Sequence, residues 1–139
     1  MAAATWYGEP AFGFTRRLEG WTFGDAVAAT REALAGEGFG VLTEIDVKAT
    51  LKKKLDADFR NYLILGACNP PLAHRALQGV PGIGLLLPCN VVVTEEDDGA
   101  VVVSTIDPKA MFQVVDHPGV ASVADEAGAK LEHGLAAIG

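Results

Sequence analysis

The chain has 139 residues, half of them apolar, with 21% charged, a net charge of −7 and a mean hydropathy of +0.25. That is one domain with enough apolar material for its own core, and it needs no disulfide or metal to hold it. The negative charge repels phosphate backbones and anionic lipid, so neither nucleic acid nor a membrane surface is expected as a partner.

Two cysteines do not make a disulfide framework. Residues 1–10 lack the basic and apolar regions of a signal peptide, and no apolar run approaches the roughly 18 residues of a membrane span, so a cytoplasmic protein is expected. The apolar share also suggests surface covered by a second chain.

Residues 1–10 read as an N-terminal arm, from which Trp6 and Tyr7 can dock on the body, and residues 11–139 read as one domain. Phe12 to Glu19 forms a first strand. Thr22 caps a helix running to about Ala35, with Asp25 as the acidic half of a capping box. Phe23, Val27, Thr30 and Leu34 share one face of it, and Gly36 and Gly38 end it. Phe39 to Val47 alternates as a strand. Asp46 caps a short helix over Lys48 to Leu55, where Lys48, Lys52, Lys53 and Lys54 are either an anion patch or a solvated face.

Tyr62 to Ala67 is a continuous apolar run, which predicts a strand at the centre of the sheet. Asn69 and Pro70 suit the cap and first turn of a helix reaching about Gln78. Gly79, Pro81, Gly82 and Gly84 predict a loop. Leu86 to Thr94 and Ala100 to Ile106 predict a hairpin with an acidic tip from Glu95 to Gly99. Asp107 and Pro108 open a helical turn near Met111. The last helix, about Val120 to Ile138, buries Val120, Val123, Ala127, Leu131, Leu135 and Ile138. The order predicts an α+β, two-layer sandwich: a mainly antiparallel five-stranded sheet with the two long helices on one face.

Three stretches in particular, Glu37-Gly38-Phe39-Gly40-Val41-Leu42-Thr43-Glu44-Ile45-Asp46-Val47, Tyr62-Leu63-Ile64-Leu65-Gly66-Ala67-Cys68-Asn69-Pro70 and Gly84-Leu85-Leu86-Leu87-Pro88-Cys89-Asn90-Val91-Val92-Val93, resemble a bacterial and archaeal family, the domain of unknown function DUF302. The later Asp107-Pro108-Lys109-Ala110-Met111-Phe112 fits the same pattern. The resemblance covers residues 15–138 and leaves out the N-terminal arm. It implies an α+β sandwich related in shape to the TATA-binding-protein fold, and a homodimer. It implies no activity, and the shape carries no DNA binding across.

The usual signatures of chemistry are missing. The glycines at 79, 82 and 84 precede a strand rather than a helix, which is the wrong context for a phosphate loop. Ser104 and Ser122 lack the flanking glycines of a nucleophile elbow. His117 belongs to the start of the last helix, and His133 lies off its apolar stripe. Glu44 interrupts an apolar run, while Asp46 and Asp107 suit caps.

Cys68 and Cys89 remain. Cys68 ends a strand just before a helix N-terminus, where the dipole and free N–H groups favour thiolate. Cys89 begins the next strand, and the strand–helix–strand connection can bring the two to one edge, close enough for a disulfide or a shared ligand. Asn69, Asn90 and His74 would be their polar company. The plain alternative is two buried apolar residues. Three functions stay open, in this order: a homodimeric small-molecule-binding or regulatory domain, a thiol-dependent redox or sulfur-handling protein, and a metal-binding protein that adds His74 or a second chain to the two thiolates. The sequence points to no cofactor and leaves open whether the chain is an enzyme.

Overall fold

The structure, a computed structural model, describes residues 5–139. Five strands form one antiparallel sheet: β1 (Gly13–Leu18), β2 (Gly40–Asp46), β3 (Tyr62–Cys68), β4 (Cys89–Glu95) and β5 (Val101–Ile106). Their spatial order is β1-β5-β4-β3-β2. β4 is therefore the central strand, and β3 lies one place from the edge. The apolar run in β3 misled because only one of its faces is deeply covered: Leu63, Leu65 and Ala67 are buried, whereas Tyr62 and Ile64 are half-buried.

The helices are α1 (Phe23–Gly36), α2 (Val47–Leu55), α3 (Pro70–Gly79), α4 (Pro108–Met111) and α5 (Pro118–Ala136). α1 packs on β4, β5 and α5, and α5 packs on β1 and β5. α3 lies against α5 on the same side, so three helices rather than two make the second layer. The core between the layers comes from alternate strand residues, since successive side chains point to opposite faces. Leu65, Val91, Val93, Val101 and Val103 meet Ala26, Val120 and Leu131 there, all at most 1% exposed.

Local capping chemistry sets the helix ends. The side chain of Thr22 accepts from the Asp25 N–H, that of Asp46 from Ala49, and that of Asp107 from Lys109. Each satisfies a donor that the first helical turn leaves free. α1 ends as a Schellman motif: Phe39 N–H reaches Leu34 O, Gly38 N–H reaches Ala35 O, and Gly38 takes the left-handed conformation with φ +81°. The Arg16 guanidinium donates to the carbonyls of Leu135 and Ala136 at the end of α5, where cationic charge is favoured.

Residues 79–88 differ from the expected loop and early strand. Pro81–Leu86 forms a 3-10 helix, and β4 begins at Cys89 rather than Leu86. Pro81, Gly82 and Gly84 hold this stretch in a tight helical turn that buries Ile83 and leaves Leu85 94% exposed.

The hairpin tip is not wholly solvated either. Glu96 is 7% exposed, and its carboxylate accepts the backbone N–H groups of Trp6 and Tyr7 at 2.8 and 3.0 Å. Trp6 packs edge-on to Phe59 and Tyr62 and lies beneath the Arg60 guanidinium, 3.7 Å from its ring centroid. The described part of the arm is thus docked on the body. The lysines of α2 face solvent, and Lys52 pairs with Asp56 and Asp58.

Candidate functional site

β3 and β4 are paired so that Ala67 stands opposite Cys89, and on the other side of β3 Cys68 stands opposite Gly40. Pairing partners share a face, so Ala67 and Cys89 point toward the helices while Cys68 starts from the opposite side of the pleat. No disulfide joins them, and both residues are free thiols. They nevertheless line the same cavity, because the cavity opens at the end of the sheet, where the two faces meet.

This cavity has a volume of about 280 Å³. Ala67, Cys89 and Phe39 form its sheet side. Leu72, Ala73 and Ala76 of α3 and Val123 and Ala127 of α5 form its helical side, and Leu42, Thr43, Leu77 and Pro88 are also in the lining. The small alanines are what leave space between the helices. Among the described residues, no charged side chain lines it. The mouth is greasy: Leu42, an extra residue at the β-bulge between Val41 and Thr43, is 69% exposed, and Leu77 is 40% exposed.

The two thiols differ in character. Burial pushes the Cys89 thiol up to about 11, and a charge on Cys68 adds to the effect. Cys89 therefore stays protonated at neutral pH. Cys68 is only partly covered and is the more exposed of the two.

The other expected site residues divide. Asn69 lines the cavity, but its side chain is already engaged: Oδ1 accepts from Leu72 N–H at 3.4 Å, and Nδ2 donates to Glu37 O at 3.2 Å. It ties the end of α1 to the start of α3. His74 is exposed on α3 and away from the cavity, since Leu72 and Ala76 define the buried side of that helix and His74 falls between them on the opposite side. Asn90 is exposed as well, on the sheet face opposite Cys89.

The imagined set of Cys68, Cys89 and His74 is thus not brought together. Among the described residues, no group of three His, Cys, Asp or Glu side chains is placed to hold a metal ion. His117 accepts the Gly119 N–H at the start of α5, and His133 pairs with Glu37 on the surface. A wider groove of about 700 Å³ runs over β1 and the end of α5, but its Arg16 is held by the α5 carbonyls. Among the described residues, no helix is long and apolar enough to cross a membrane.

A two-layer α+β domain with an antiparallel sheet and an uncharged cavity under its third helix is the class these features define. The chain belongs to the family described as domain of unknown function DUF302, whose sequence profile matches residues 14–138. Among solved structures it is similar to an uncharacterized conserved protein DUF302 from Bacillus stearothermophilus, with 27% identity over 94% of this chain and 100% of that one, and a TM-score of 0.85. No curated protein matches the chain.

Proposed function

We propose that this chain is a small-molecule-binding or regulatory domain that works as a homodimer, with its ligand held in the cavity between α3, α5 and the ends of β3 and β4. The observation that carries the reading is the cavity itself: 280 Å³ walled almost wholly by apolar side chains, open to solvent, and lined by both cysteines. An apolar cavity of about 150 Å³ already takes a benzene-sized guest, so this one suits a neutral ligand of about a dozen non-hydrogen atoms. Among the described residues no cation lines the cavity to recognise an anion. The exposed Leu55, Leu85 and Val114, which lie outside the cavity lining, support a partner surface, and the reading puts the chain in the cytoplasm, where thiols stay reduced.

The thiol reading is the second one, favoured by two cysteines that line one cavity. Metal binding is disfavoured by the same cavity, because two thiolates around a monovalent soft cation leave a net negative charge where no positive group faces it.

The test is titration with the neutral, environment-sensitive dye 1-naphthylamine, which has about a dozen non-hydrogen atoms. Saturable fluorescence enhancement at one site per chain is expected, and it should be lost in Ala73→Met, which fills the space beside α3. Binding that ignores Ala73→Met, or no binding, overturns the assignment. Sedimentation equilibrium at micromolar concentration tests the dimer, and a monomer mass removes that part.

A further inference from the structure

We propose that the cavity captures neutral, apolar, conjugated carbonyl compounds as thioether adducts on Cys68. The inference rests on the reading of the cavity as a ligand site and names the class of ligand it takes.

The walls select the chemistry. A reaction that expels an anionic leaving group, or that leaves a bound anion, meets no cation there. Disulfide formation between Cys68 and Cys89 needs an oxidant, and the register sets Ala67 rather than Cys68 opposite Cys89. Conjugate addition requires neither, since it begins with a neutral ligand and ends with a neutral adduct.

The balance is simple. The Cys68 sulfur, having released its proton to solvent, forms a bond to the β-carbon of the ligand. The carbon–carbon π pair moves toward the carbonyl, and the α-carbon then takes a proton from water at the mouth. The sum is addition of S–H across the double bond, with no change in the number of electrons held by protein and ligand together.

Position assigns the nucleophile. Cys68 ends β3 at the cavity mouth and is partly exposed, so reagent and water both reach it. Cys89 is 7% exposed on the inner wall and remains a thiol, an apolar part of the lining. Thr43 supplies the one hydroxyl among the described lining residues and is the donor for the ligand oxygen, because the Asn69 side chain is committed to Leu72 and Glu37. Leu42 and Leu77 give the apolar part of the ligand a surface to leave water against.

The experiment follows adduct formation on the intact chain by mass spectrometry, with N-phenylmaleimide and 3-maleimidopropionate as probes and glutathione as the reference thiol. Burying a phenyl group favours the apolar probe by about tenfold or more over the charged one, beyond the preference shown by glutathione. The rate with N-phenylmaleimide should saturate with concentration, peptide mapping should place the adduct on Cys68, and Cys68→Ser should lose it. A rate linear in concentration with the preference of glutathione, or an adduct mapped to Cys89, overturns the proposal. Dye binding to Cys68→Ser separates the two readings. If the dye binds and the maleimide preference is absent, capture fails and the ligand site stands; if the dye does not bind either protein, both fall.

Discussion

Raising the pH should unfold this protein partly through Cys89. Burial moves its thiol from an ordinary 9.0 in the open chain to about 11 in the folded one. A folded-state value above the unfolded one means that the native protein holds the proton more tightly. The resulting stability is fully present below pH 9 and is lost as the pH climbs through about 11. The gap between the two values corresponds to about 3 kcal/mol at the limit, with about 1 kcal/mol gone by about pH 10.

Urea unfolding at a series of pH values, on the native chain and on Cys89→Ala, isolates this contribution. Tyr62, also raised by burial and by neighbouring Tyr7, titrates alike in both proteins and cancels in the difference. The native chain should lose stability more steeply than the variant above pH 9. Parallel pH profiles for the two, to within a few tenths of a kcal/mol, would refute the reasoning.

Gly66→Ala should destabilise by about 3 kcal/mol, because its Cβ would stand 2.0 Å from Thr43 Oγ1 and 2.7 Å from Pro88 Cγ. Adding Thr43→Ala should recover part of that loss in urea unfolding, since it removes the nearer atom. Glu96→Ala should cost about 2 kcal/mol by leaving the Trp6 and Tyr7 N–H groups without their acceptor. Its readout is a red shift of Trp6 emission in a Trp21→Phe background, and unchanged emission would show that the carboxylate does not hold the arm.

What could be read from the sequence was mostly local. The caps at Thr22, Asp46, Asn69 and Asp107 act within three residues, so residue type and spacing revealed them. The periodicity of α5 was equally direct, and its expected stripe is the buried one, from Val120 to Ile138. His74 follows the same rule: two positions from both Leu72 and Ala76, it lies across the helix from the core and is exposed.

Non-local features were hidden. Leu86 and Leu87 look like the start of a strand, and only the prolines and glycines around them explain a 3-10 turn. Glu96 reads as a solvated tip residue until the arm, 90 positions earlier, meets it. Connectivity brought Cys68 and Cys89 to one end of the sheet, but the cavity they line depends on how α3 and α5 pack, which no single segment encodes.

The strand order has a consequence for how the chain is made. β1 and β2 are neighbours in sequence but occupy opposite edges, and among the described residues the only strand beside β1 is β5, with Gly13 facing Ile106. During synthesis from the N-terminus, β1 therefore waits for its partner until Val101–Ile106 has emerged, and the Arg16 contact with Leu135 and Ala136 forms later still. The hairpins β2–β3 and β4–β5 can zip early, whereas closing the loop that joins β1 to β5 costs the most entropy and comes late. A chain released short of β5 would leave β4 (Cys89–Glu95) as an apolar edge open to pairing with another chain.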